Sequence, residues 1–143
     1  MTFIERWFEE VWNKGREEAI DEMCRPDAVS HGLNHPDGTE VSDRQEFKAF
    51  HKQFQASFSS INVKVERMVA QDDLIAGYCV VSGVHSGDGL GWPATGKQVT
   101  FTGMCMARIE GGKLAETWNC FDFASMYRQL QQAREAIEES RRR

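Results

Sequence analysis

The stretch Lys97-Gln98-Val99-Thr100-Phe101-Thr102-Gly103-Met104-Cys105-Met106-Ala107-Arg108-Ile109 alternates along its whole length. Val99, Phe101, Gly103, Cys105 and Ala107 share one parity, and Thr100, Thr102, Met104, Met106 and Arg108 share the other. Successive side chains of an extended chain point to opposite faces, so this period of two predicts a long strand with its first set turned toward a core. Gly111-Gly112 then makes a tight turn into a further strand over Lys113–Phe121. Upstream, Leu74–His85 is rich in Val, Ile and Tyr, and Ile61, Val63 and Val65 alternate with Asn62, Lys64 and Glu66 before a turn at Gln71-Asp72-Asp73. A glycine-rich loop, residues 86–96, separates the middle strands. Strands joined by short turns form an antiparallel meander, and such a sheet carries its helices on one face.

Outside the meander the period becomes helical. Phe3, Ile4, Trp7, Phe8, Val11 and Trp12 mark an amphipathic helix capped by Thr2 and stopped at Asn13-Lys14-Gly15. Residues 16–24 carry Ala19, Ile20 and Met23 as a second helix ended by Pro26. Residues 28–41 read as a short strand near Val29 followed by a loop. Ser42, with Gln45 at the capping-box position, starts a third helix with Phe47, Phe50, Phe54 and Phe58 as its stripe. Met126, Leu130, Ala133 and Ile137 define a C-terminal helix over residues 125–139. The fold class is therefore α+β: a curved antiparallel sheet wrapped around N-terminal helices, a cone-shaped α+β barrel, with a C-terminal helix. A strongly twisted sheet curled over aromatic helices leaves a cavity. Met104, Met106 and Trp118 lie on the opposite parity, so the outer sheet face carries an apolar patch suited to a homodimer.

Length and charge set the outer limits. The 143 residues fit a single domain, 1–143, that buries about 70% of the surface its unfolded chain exposes. A net charge of −5 argues against a nucleic-acid surface, and the one basic run, Arg141-Arg142-Arg143, follows acidic residues as a solvated helix end. No apolar run approaches the roughly 18 residues of a membrane span, and the N-terminus opens on an amphipathic pattern, which makes a cytoplasmic location the default expectation. Cys24, Cys79, Cys105 and Cys120 stand far apart with no C-x-x-C pair, so no metal site, cofactor or disulfide framework is expected.

Six positions stand out for chemistry. His31 and His85 titrate near neutral pH and suit acid or base roles, or serve as hydrogen-bonded structural imidazoles. Asp122, after Trp118-Asn119-Cys120-Phe121, reads either as a base beside aromatic rings or as a helix N-cap. Asn119 shares parity with Thr117 and Ala115, which places a neutral amide toward the cavity; an amide orients a carbonyl or hydroxyl without exchanging protons. Trp92, in the glycine-rich loop, offers an indole N–H near His85, and Cys105 reads as a small buried hydrophobe.

In sequence order, Trp12-Asn13-Lys14-Gly15, Gly83-Val84-His85-Ser86-Gly87, Pro93-Ala94-Thr95-Gly96-Lys97, Gly112-Lys113-Leu114 and Trp118-Asn119-Cys120-Phe121-Asp122 resemble the SnoaL-like polyketide cyclase family of the nuclear transport factor 2-like superfamily. The resemblance implies a curved sheet, a hydrophobic cavity and frequently a dimer or tetramer. It also implies, in the cyclases that name the family, a cavity Asp on the last strand acting as acid and base, with Gln and His on the strand before it. The matching positions here are Asn119, Gly103 and Cys105. The expected function is thus a cofactor-independent reaction on a small hydrophobic or aromatic carbonyl compound, isomerisation or hydration rather than aldol cyclisation. A non-catalytic carrier of the same fold is the alternative. The expected site comprises His85, His31 and Asp122 as catalytic groups, with Asn119, Trp92, Trp12, Cys105 and Phe101 against the ligand.

Overall fold

The computed structural model describes residues 1–142, so Arg143 of the terminal basic run lies outside the described residues. The chain opens with α1 (Phe3–Trp7), which runs on into a π-helical segment, Phe8–Asn13. Then come α2 (Glu18–Met23), β1 (Cys24–His31), α3 (Arg44–Ser57), β2 (Phe58–Gln71), β3 (Leu74–His85), β4 (Gln98–Glu110), β5 (Lys113–Phe121) and α4 (Phe123–Arg142). The five strands form one sheet in the order β1-β5-β4-β3-β2.

The meander expected for β2 to β5 is present, with every neighbouring pair antiparallel. At one edge the sheet departs from the all-antiparallel expectation, because β1 pairs parallel to β5 through Val29↔Glu116, Ser30↔Thr117 and His31↔Trp118. Pro26 has no amide to give a ladder, and it falls in the irregular stretch of this edge strand between Cys24 and Val29. The register between β2 and β3 shifts twice, between Ser59 and Asn62 and between Val65 and Arg67. Such bulges raise local twist and bend a ladder, which curls the sheet while leaving it open.

Along β4 the inward parity is as expected. Val99, Phe101, Cys105 and Ala107 are buried, whereas Met104 is 54% exposed. Helix α3 starts one residue later than expected: the Asp43 carboxylate accepts from the Glu46 amide at 2.8 Å, while Ser42 hydrogen-bonds the Glu46 side chain. Its Phe47, Phe50 and Phe54 are buried, and the stripe continues into Phe58, the first residue of β2.

The first helix differs in a way that shapes the interior. From Phe8 the hydrogen bonds widen, with Lys14 N–H donating to the Glu9 carbonyl at 2.8 Å. The Val11 carbonyl accepts instead from Nε2 of buried His51, at 2.7 Å. The extra residue in the turn also swings Asn13 onto the sheet edge. Its amide donates to the Val63 carbonyl (3.2 Å) and accepts from the Val63 N–H (2.6 Å), occupying backbone groups that an edge strand would otherwise leave open.

Candidate functional site: an aromatic cone with one polar strip

Between the concave sheet face and the helices lies a cavity of about 110 Å³. An engineered cavity of about 150 Å³ in another protein takes up benzene, so the void is of single-ring size. Its wall is mostly apolar and rich in aromatic rings. Trp12 meets Phe47, Phe50 and Phe54 edge-on, each with ring centroids 6.1 Å apart, and Phe50 packs on Phe54 at 4.7 Å. Phe123, at the start of α4, adds an edge-on contact to Phe50 and a tilted one to Phe101.

Polar groups enter the wall along β5 and the neighbouring β1, with Ser82 of β3 and Arg44 of α3 besides. Asn119 Nδ2 donates to the His31 backbone carbonyl at 3.0 Å and to Thr117 Oγ1 at 3.2 Å. Thr117 Oγ1 donates in turn to Ser30 Oγ at 3.2 Å. The amide orientation is set by chemistry: a backbone carbonyl only accepts, so the NH₂ side must face His31. Asn119 Oδ1 accepts no hydrogen bond from the described residues, so its lone pairs remain available. A glycine makes this arrangement possible. Gly32 has φ +83°, and a Cβ there would lie 2.0 Å from the Asn119 carbonyl oxygen, so only a residue without a side chain lets the end of β1 close on β5.

Among the described residues lining the cavity there is no Asp, Glu or His, and Arg44 is the single charged side chain. Its Nη1 lies 3.4 Å from Asp21 Oδ1 and 3.5 Å from the Cys24 carbonyl, so its charge is already compensated. The thiols of the wall stay protonated. A hydrogen bond with Cys79 and burial together push Cys105 far above the usual thiol range, and burial pushes Cys24 up to about 12. No group of His, Cys, Asp and Glu among the described residues could hold a metal ion.

Of the residues singled out from the sequence, Asn119, Trp12, Cys105 and Phe101 line this cavity together. The others lie elsewhere. His31 turns outward: its ring stacks on Trp118 with centroids 5.7 Å apart, and its Nε2 lies 2.7 Å from Glu116 Oε2 on the convex face. That contact holds the Glu116 carboxyl below its usual range, with Arg108 adding to the effect. Asp122 is exposed and accepts from the Ser125 amide at 3.0 Å, which makes it the N-cap of α4, one of the two roles its position allowed. Trp92 packs half-buried beneath the Arg134 guanidinium, 5.8 Å from its ring centre. His85 is fully buried behind Phe58, with ring centroids 5.4 Å apart. Burial lowers its pKa, and its Nδ1 is occupied by Thr95.

Gly103, where the resemblance implies Gln, has no room for a side chain. A Cβ at Gly103 would fall 2.1 Å from Phe121 Cδ1, because the Phe121 ring lies across the strand at their paired register. Ser30 was not among the expected site residues. Its contribution depends on the parallel β1–β5 pairing, which local periodicity does not announce.

A curled, open sheet closed over by N-terminal helices, with an internal apolar cavity and a polar strip on the last strand, defines the nuclear transport factor 2-like class of α+β cone. The family model described as SnoaL-like polyketide cyclase matches residues 2–130, and the chain belongs to that family. Among solved structures, a protein from Acidithiobacillus ferrooxidans provisionally assigned as a polyketide cyclase is 26% identical, with a TM-score of 0.76, over 92% of this chain and 93% of that one. IdmH from Streptomyces antibioticus, provisionally assigned in the same way, is 33% identical, with a TM-score of 0.75, over 90% of this chain and 96% of that one. A Catenulispora acidiphila protein with a ketosteroid isomerase-like fold, bound to trimethylamine, shares the fold at 14% identity and a TM-score of 0.68, over 86% of this chain and 87% of that one. No curated protein matches the sequence. No helix among the described residues is long and apolar enough to cross a membrane.

Proposed function

We propose that this SnoaL-like protein takes a small apolar or aromatic carbonyl compound into the cone, with a hydroxyl or N–H of that compound donating to Asn119 Oδ1. The reading is supported by the Asn119 amide in a mostly apolar lining, with its NH₂ held by the His31 carbonyl and its oxygen left without a hydrogen bond from the described residues. Ring burial supplies the bulk of the affinity at about 25 cal/mol per Å² of apolar surface, and the Asn119 acceptor sets orientation. In the enzymatic form of this reading, the cavity orients the compound for isomerisation or hydration, with hydrogen bonding rather than a cavity carboxylate assisting proton movement.

The carrier reading has its own support in the lining, which offers no side chain able to accept a proton at neutral pH. One experiment separates the two. The protein is titrated calorimetrically with hydroxylated and plain aromatic ketones, and the α-protons of a bound ketone are followed by NMR in D₂O. Binding with accelerated α-exchange indicates an enzyme, and binding with exchange at the solvent rate indicates a carrier. The absence of binding by any single-ring ketone refutes both. On the convex face, exposed Met104 and the His31–Trp118 stack support pairing of two copies, which light scattering checks by mass.

A further inference from the structure

Arg44 is the one charged side chain among the described residues that line the cavity, and it is 22% exposed, so it stands where the apolar interior meets solvent. The Asp21 pairing that offsets its charge is shared. Asp21 Oδ2 lies 2.7 Å from Lys48 Nζ, against 3.4 Å between Asp21 Oδ1 and Arg44 Nη1, and one carboxylate between two cations leaves one positive charge over. Lys48 is also the main reason that the Asp21 carboxyl is held below its usual range. The carboxylates next to Arg44 along the chain are engaged otherwise: Asp43 accepts from the Glu46 amide, and Glu46 accepts from Ser42. Around the Cys24 thiol, which lines the cavity, Arg44, Lys48 and Lys113 act against Asp21 alone. In a chain of net charge −5, this part of the wall is locally positive.

The guanidinium also has donors to spare. Nη1 donates to the Cys24 carbonyl at a long 3.5 Å, while Nε and Nη2 donate to no group among the described residues. A guanidinium presents its N–H groups in a planar fork that matches a carboxylate through two parallel bonds. The backbone that carries this fork is anchored to the cavity wall. Arg44 is the first residue of α3, and the chain just before it is tied to β1 by the Val29↔Asp43 bridge and by the Ser30 N–H donating to the Ser42 carbonyl at 2.7 Å. Ala28 and Ser30, on either side of Val29, line the cavity themselves.

From these observations we infer that the cavity ligand is an acid, whose carboxylate pairs with Arg44 at the solvent edge of the wall while its ring occupies the apolar interior. This rests on the proposed cavity function and narrows the ligand class to aromatic carbonyl compounds that carry a carboxylate on a short chain. A void of single-ring size takes the ring, and the chain leads the acid out toward Arg44. A charge kept at that edge retains part of its hydration, which burial inside the cone would strip away at a cost of several kcal/mol. Arg44 acts independently of the Asn119 acceptor, so a probe without a hydroxyl is enough to test it.

The test uses 3-benzoylpropionate, an aryl ketone with a short acid tail, and its uncharged methyl ester. In low-salt buffer at neutral pH, calorimetry on the wild-type protein is expected to show the acid binding about tenfold more tightly than the ester, the factor that one charge-assisted hydrogen-bonded pair provides. Added salt should narrow that ratio, because the pair is partly exposed. Arg44→Gln should bring the ratio to one or below while leaving ester affinity within about twofold, and Arg44→Lys, which keeps the charge and loses the fork, should retain part of it. Should the variants fail to fold, the ¹⁵N and ¹H resonances of the wild-type Arg44 Nε–H give the same answer, shifting on addition of the acid and not of the ester. An acid that binds no more tightly than the ester overturns the inference, and ester binding then leaves the cavity function standing. So does an acid preference that survives Arg44→Gln, or an Nε–H resonance that the acid leaves unmoved. No binding of the acid, the ester or any single-ring ketone removes the cavity function and this inference with it.

Discussion

Asn119→Asp restores the residue type that the family resemblance implies at this position, but it places a carboxylate against groups that accept hydrogen bonds. In the wild type, Asn119 Nδ2 donates to the His31 carbonyl at 3.0 Å and to Thr117 Oγ1 at 3.2 Å. An ionised carboxylate has no proton for the carbonyl and sets a negative oxygen against it, while the Thr117 hydroxyl can turn to donate to the carboxylate. One hydrogen bond at about 1 kcal/mol, plus an unpartnered carbonyl facing a negative oxygen, gives a loss on the order of 3 kcal/mol at neutral pH. A protonated carboxyl regains one donor, so the folded state favours the neutral acid and raises its pKa above the unfolded value of about 3.9. Between these two pKa values the folded state holds a proton that the unfolded state has released, so stability falls as pH rises, by up to about 1.4 kcal/mol per pH unit. Urea unfolding of both proteins from pH 4 to pH 8 should show a small deficit at the acid end and the full deficit at pH 8. Asn119→Leu, which loses both bonds without gaining a charge, should show a deficit independent of pH. A deficit for Asn119→Asp that is constant, or that grows toward acid, would refute the placement of the amide against the His31 carbonyl.

Gly32→Ala should cost about 3 kcal/mol or more, since its Cβ meets the Asn119 carbonyl at 2.0 Å at a φ of +83°; a melting curve followed by circular dichroism measures it. Asn13→Ala removes both bonds to Val63 and should lower stability by about 2 kcal/mol, with hydrogen exchange at the Val63 amide quickening more than at β4 amides. His31→Ala should leave the affinity of cavity ligands within about twofold by calorimetry, because the ring stacks on Trp118 outside the cone; a tenfold loss would contradict that orientation.

Legibility from sequence tracked the range of the interactions. The limits of β3 and β5 and the inward parity of β4 could be read because a period of two reports directly which side chains face a core. The aromatic stripe of α3 was equally plain. The π-helical turn was not, since the His51 and Val63 contacts that hold it join residues 40 and 50 positions apart. Of the cavity lining, Asn119, Trp12, Cys105 and Phe101 were recoverable from parity and helical spacing. His31 and Ser30, adjacent on β1, show where that method fails: one turns out to Trp118 and the other meets Thr117, and both outcomes hang on a parallel register with β5.

The order of residues alone determined that this chain makes a meander under aromatic helices, and that position 119 carries an amide. Those facts are local: they depend on periodicity and on the identity of one side chain. Only the tertiary structure decided which way that amide faces, that the histidines lie outside or behind the cavity wall, and that the Phe121 ring fills the space over Gly103. Each of these is set by the distance between strands remote in the chain, and such distances are fixed by packing and register rather than by spacing along the sequence.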